Sequence, residues 1–314
     1  MGAVTTTPAP LGLLLDVDGP IASPITRTLA IPSIAADLVE LAAAGVPVVF
    51  NTGRSDAFIR DQVVGPLLDA GLPAGARVHA VCEKGASWFS ITPEGAGEVH
   101  VDRSLALPEA YMRDMERLVA ERFADWMFFD TTKHAMVSLE QLTSVASADY
   151  LAVQPDLDAR AVEMLTAHGL GSVLEGVEVP DAEGDVQVRV DPTIISTDVE
   201  SIRLGKDLGA ARALELLADS GPLPLRWRTV GDSRTDYAMA TWLHENGHEV
   251  AHVDVRPADG IPATPYPVLT AGDLIHDEAG AALLAQWVRI VRGEAEDDSA
   301  FLAPGRVASG ARLR

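Results

Sequence analysis

The chain has 314 residues, 47% of them hydrophobic, which is ample for a real core, and its length suits two domains or one large one. No stretch approaches the roughly 20 uninterrupted apolar residues of a membrane span, and Met1–Pro10 lacks the basic start and apolar run of a secretory signal. Lys plus Arg number 24 against 46 Asp plus Glu, a formal net charge of −22, which disfavours a nucleic-acid partner and attracts divalent cations.

In chain order, Leu11–Leu15 is a short apolar run ending at Asp16, as in a buried parallel strand. Ile34–Ala44 carries apolar residues at helical spacing, and Gly45 stops it. Val46–Phe50 is a second strand, followed by Asn51-Thr52-Gly53-Arg54. A helix over about Asp56–Ala70 and a strand at Arg77–Cys82 complete a βαβαβ series. This pattern predicts an α/β fold with a doubly wound, mostly parallel sheet, its ligand crevice beyond the carboxyl ends of the strands. Cys82 is the single cysteine, so no intramolecular disulfide forms, and the expectation is a reducing, cytoplasmic setting without membrane attachment.

From about Gly85 the alternation stops. Strand candidates at Ser87–Ile91, Met127–Phe129, His134–Leu139, Leu151–Gln154 and Gln187–Val190 surround helices at Pro108–Ala124 and Asp158–His168. That grouping predicts an inserted α+β unit over 85–189, dividing a core formed by 1–84 and 190–292. Alternation resumes with a helix at Leu208–Leu217, a strand at Trp227–Val230, a helix at Tyr237–His244 and a strand at Val250–Val255. Ala279–Val291 closes the core as a helix, and 293–314, polar, small and acidic, is predicted to be a loose tail.

Four short motifs fall at strand ends or just beyond them: Asp16-Val17-Asp18-Gly19, Asn51-Thr52-Gly53-Arg54, the helix opened by Lys206, and Gly231-Asp232-Ser233-Arg234-Thr235-Asp236. All four are expected to open onto one crevice. D-x-D-G alone is a weak signal in an Asp- and Gly-rich chain, but the ordered set of four is specific. This order resembles the haloacid-dehalogenase superfamily of phosphohydrolases, Asp16 and Asp18 matching its first motif, Thr52 its second, Lys206 its third, and Asp232 with Asp236 its fourth. The insert lies between the second and third motifs, where that superfamily places type-2 caps. Gly231–Met239 looks most like the trehalose- and sucrose-phosphate phosphatase branch.

The residues are also chemically coherent. Asp16 and Asp232 suit a hard cation with oxygen ligands, Mg2+ being the expected cofactor. Lys206 supplies a point charge and Thr52 a hydroxyl donor for phosphoryl oxygens. Asp16 is the expected nucleophile, forming an aspartyl-phosphate, and Asp18 the acid and base. The resemblance adds that Asp18 lends a backbone carbonyl to the metal and that Asp236 supports the metal side. The expected function is hydrolysis of a small phosphorylated metabolite such as a sugar phosphate. The alternatives are a phosphomutase or phosphotransferase of the same superfamily, and a non-catalytic binding protein retaining the fold.

One departure is Pro20, where the superfamily usually has Thr or Val after D-x-D-G. It removes a backbone N–H and predicts altered flap geometry. Only three lysines occur, Lys84, Lys133 and Lys206, so each is a better-than-average candidate for a task. Arg54, Lys133 and His134 are possible substrate contacts. Glu83-Lys84 reads as a solvated hinge, His276-Asp277 as a further pair that could face the crevice, and Cys82 as a small buried hydrophobe.

Overall fold

The computed structural model describes residues 8–303. The core unit begins with β1 (Gly12–Leu15), α1 (Pro32–Ala43), β2 (Val48–Asn51), α2 (Asp56–Ile59), a π-helical turn at Arg60–Val64, and α3 (Gly65–Asp69). It continues through β3 (Val78–Cys82), β4 (Ser87–Thr92), β5 (Gly95–Ala96) and β6 (His100–Val101). The inserted unit contains α4 (Glu109–Arg122), β7 (Met127–Phe129), β8 (Val137–Gln141), α5 (Ser147–Ala167), β9 (Ser172–Leu174), β10 (Val177–Val179), β11 (Val188–Pro192) and β12 (Ser196–Ser201). The core resumes with α6 (Lys206–Ser220), β13 (Arg226–Gly231), α7 (Tyr237–Glu245), β14 (Glu249–Asp254), β15 (Val268–Leu269) and α8 (His276–Val291). Among the described residues, no helix is long and apolar enough to cross a membrane.

The core sheet runs in the order β15-β14-β13-β1-β2-β3-β4-β5, with β6 also on β4. The strands from β15 to β3 pair in parallel. β1 lies between β2 and β13, so successive crossovers leave it in opposite directions and open a crevice at its carboxyl end. Side-chain alternation fills both faces. Leu13 and Leu15 pack in the layer containing Ile34, Leu38, Leu283 and Trp287, whereas Leu14 packs with Ala210, Ala213, Leu217 and Met239 from α6 and α7. Strands buried on both sides explain why β1 and β2 read as continuous apolar runs.

The inserted unit has its own six-stranded sheet, β10-β9-β11-β12-β8-β7, and its own core, in which Tyr111, Met115 and Val119 of α4 and Leu157, Ala161 and Leu165 of α5 meet Val137, Leu139, Val190 and Val199.

Four sequence expectations are corrected here. The inserted unit spans Val101–Leu204 rather than 85–189. Ser87–Ile91 belongs to the core because β4 folds back antiparallel on β3, Ala80 facing Phe89. At the other boundary, β12 pairs with β11 and β8 and keeps the chain in the second sheet to Ser201.

Leu151–Gln154 is not a strand but the middle of α5, whose buried positions Tyr150, Gln154, Leu157, Asp158, Ala161 and Leu165 follow helical spacing. Pro155 inside that helix lies on its exposed face.

The described part of the C-terminal segment is held to the core rather than loose. Asp298 is buried, and its carboxylate accepts from Arg228 at 2.6 and 2.9 Å and from Trp287 Nε1 at 3.0 Å. Leu302 bridges to Leu269, and the N–H of Ala303 donates to the carbonyl of Val268. One buried carboxylate thus anchors a segment of small polar residues. Residues 304–314 of the expected tail lie outside the described residues.

Candidate active site

Asp16 follows β1 directly, and its N–H donates to the carbonyl of Val230 at 2.8 Å, which sets it level with the end of β13. Thr52 follows β2, its N–H donating to Val81. Its hydroxyl accepts from the N–H of Arg54 at 3.1 Å, which leaves its own proton available to donate. Lys206 is the first residue of α6. Its Nζ reaches Asp16 Oδ1 at 2.6 Å, Asp236 Oδ1 at 2.7 Å and the carbonyl of Asn51 at 2.8 Å. Asn51 returns the contact by donating from Nδ2 to the carbonyl of Lys206 at 2.9 Å. Gly209, one turn along α6, makes this approach possible, since a Cβ there would lie 2.0 Å from Asn51 Oδ1.

The last motif folds as a compact turn. Asp236 Oδ2 accepts from the N–H of Asp232 at 3.2 Å, from the N–H of Ser233 at 3.0 Å and from Ser233 Oγ at 2.7 Å. Gly231 makes room for it, as a Cβ there would sit 2.1 Å from that of Asp236. One carboxylate oxygen from each of Asp16, Asp232 and Asp236 falls within 4.8 Å of the others.

Charge is strongly frustrated in this cluster. Burial pushes the Asp16 carboxyl well above the ordinary carboxylate range, Lys206 offsetting part of that while Asp236 and Asp18 add to it. Burial pushes Asp232 up to about 6, helped by Asp236 and opposed by Arg256 and Lys206. Asp236 is buried too, yet Lys206 and the Ser233 hydroxyl hold it below the usual range. Lys206 would be lowered by burial, but Asp16 and Asp236 keep it firmly cationic. A single lysine therefore faces three converging carboxylates, all hard oxygen donors. This set fits a hard divalent cation such as Mg2+, which would supply the missing positive charge.

Asp18 lies outside that trio. Arg54 grips its carboxylate with both arms of the guanidinium, Nε at 2.9 Å and Nη2 at 3.0 Å. The guanidinium also stacks over the Phe58 ring. Pro20 sits where its missing N–H costs nothing, because the turn is closed by the N–H groups of Gly19, Ile21 and Ala22. Its carbonyl faces Gly280 of α8. Lys133 and His134 belong to the inserted unit, Lys133 buried and His134 partly so, just before β8. Glu83 is fully buried rather than solvated, and with Lys84 adopts left-handed backbone, φ 48° and 54°. Asn51 and Ser233 escaped the sequence reading as site residues. Both lie inside the quoted motifs, and only the spacing from strand end to helix start could have flagged them.

No protein-family model matches the chain, and no curated protein matches it. Solved structures do. The C-terminal domain of a C. albicans trehalose-6-phosphate phosphatase superimposes with a TM-score of 0.55 at 12% identity, covering 92% of this chain and 94% of that one. A haloacid dehalogenase-like hydrolase from Bacteroides thetaiotaomicron gives 0.54 at 11% identity, over 88% and 98%. A Thermoplasma acidophilum protein gives 0.52 at 14% identity, over 89% and 98%. The fold is that of the haloacid dehalogenase-like hydrolases.

Proposed function

We propose that the chain is a Mg2+-dependent phosphohydrolase of small phosphate monoesters. The observation that carries this reading is the placement of Lys206 Nζ between Asp16 and Asp236, with Asp232 completing a trio of carboxylates at the switch point of the sheet. Asp16, Asp232 and Asp236, with the backbone carbonyl of Asp18, would hold the cation, which when bound neutralises phosphoryl charge.

The chain's own residues then do the following. Lys206 and the Thr52 hydroxyl bind the phosphoryl oxygens. Asp16 attacks phosphorus, forming a carboxylate–phosphorus bond as the ester P–O bond breaks, and Asp18 gives a proton to the departing oxygen. Water next attacks the aspartyl-phosphate, loses its proton to Asp18 and releases inorganic phosphate, regenerating Asp16. Arg54, fixed on Asp18 by two hydrogen bonds, orients that acid rather than contacting substrate first.

The inserted unit is assigned the part of a cap that selects the alcohol portion of the ester, with Lys133 and His134 as its candidate contacts. A sugar phosphate is the favoured class, suggested by the shared fold with a trehalose-6-phosphate phosphatase domain. Cys82, the single cysteine, is buried and in no disulfide, which accords with a cytoplasmic setting.

The test is a screen of phosphorylated metabolites for inorganic phosphate release with Mg2+ and with chelator. Release that chelation removes and Mg2+ restores is expected. Phosphate moved between positions of a sugar, without release, would favour a phosphomutase, and no turnover of any ester would favour a binding protein.

A further inference from the structure

His276 opens α8 with a positive φ of 50°, a backbone region uncommon for any residue other than glycine and held there at some energetic cost. Its N–H donates to the carbonyl of Val255 at 2.8 Å, tying the start of α8 to the segment just after β14. The imidazole is thereby turned toward the acidic cluster. Its Nδ1 is buried without a hydrogen-bond partner and stands 3.9 Å from Asp232 Oδ2. Arg256 approaches the same oxygen, Nη1 at 4.0 Å, while its Nη2 is held by Asp259 at 2.6 Å. Both approaches to Asp232 are longer than a hydrogen bond. Two donors therefore converge on one oxygen of a carboxylate that also lies in the cluster with Asp16 and Asp236.

A carboxylate that binds a metal through one oxygen is normally held by an outer hydrogen bond on the other, and losing that bond typically weakens metal affinity about 10–100-fold. Backbone strain of this kind persists where the surrounding structure over-determines it, and it clusters at functional sites. We infer that His276 is a positioning residue for the divalent-cation site, its Nδ1–H holding Asp232 Oδ2 so that the other oxygen faces the cation, with Arg256 as the second arm of the clamp. The inference rests on the metal-dependent reading above.

The test is Mn2+ binding by the full chain, followed by electron paramagnetic resonance or calorimetry, beside thermal melting. Glycine adopts φ 50° freely, so His276→Gly should melt at or above the wild-type temperature while binding Mn2+ about tenfold or more weakly. Asparagine also tolerates this backbone, and its Nδ2 takes the place of the imidazole Nδ1, so His276→Asn should bind within about threefold of wild type. A His276→Gly protein that binds Mn2+ as tightly as wild type overturns the inference, and so does His276→Asn binding as weakly as the glycine variant. Wild type that binds no Mn2+ overturns the metal-dependent reading itself, and this inference with it.

Discussion

Lys206 shows how one side chain organises the site. Its ammonium forms ion pairs with Asp16 and Asp236 and donates a hydrogen bond to the carbonyl of Asn51. Each acceptor comes from a different strand end, so the lysine ties β1, β2 and the turn after β13 to one point. The start of α6 adds free N–H groups and the positive end of its dipole, both favourable to a phosphoryl group. Lys206→Ala should lower kcat/KM by about 10²–10³, equivalent to roughly 3–4 kcal/mol of transition-state stabilisation. Lys206→Arg should restore little, because a planar fork cannot reproduce a point charge aimed at three oxygens. Steady-state kinetics on an ester from the screen checks this, and Lys206→Ala within a factor of two of wild type would remove the lysine from the site. The lysine was legible in the sequence because so few lysines occur and only this one opens a helix after the return to the sheet. Its bond to Asn51 was not, since nothing in an Asn before a Thr says that its amide will meet a helix 155 residues later.

At the scale of elements, the strands carrying the site were legible and the insert was less so. Apolar runs such as Leu13-Leu14-Leu15 and Val48-Val49-Phe50 are buried on both faces and have few other readings. Ser196–Ser201 has no such signature, with Thr197, Asp198 and Glu200 inside it, and becomes a strand only through pairing with β11 and β8. In α5, the apolar run before Pro155 imitates a strand end, and the helix is recognised only once Tyr150, Gln154 and Leu157 share one buried face. The C-terminal segment hid for a different reason. Its hold is a buried ion pair, Arg228 with Asp298, rather than apolar periodicity. Asp298→Ala should therefore destabilise the fold by about 3–5 kcal/mol, because it leaves Arg228, only 4% exposed, as an unpaired buried charge. Denaturant unfolding followed by tryptophan fluorescence measures this, with Trp287 beside the pair as reporter. A change below about 0.5 kcal/mol would show that the segment is only loosely attached.

Across the whole molecule, a chain of net charge −22 concentrates carboxylates where the sheet changes direction and sets a single lysine among them. Elsewhere such crowding would be a liability. Here burial and repulsion raise the carboxyls of Asp16 and Asp232, and a divalent cation bound among them would relieve both. The order of motifs along the sequence already implied this arrangement, because each lies at the carboxyl end of a parallel strand or the start of the following helix. The engagement of Asp18 by Arg54 and the approach of His276 to Asp232 depend on backbone turns that the sequence does not spell out. In the proposed reaction everything turns on the attack of Asp16 on the phosphoryl group. Its most direct test is the rate of inorganic phosphate release with Mg2+ by wild type and by Asp16→Asn, side by side on the best ester from the screen. Wild type should release phosphate steadily and Asp16→Asn none above background, since the amide is a poor nucleophile and a weaker ligand. Asp16→Asn retaining a substantial fraction of the wild-type rate would contradict it.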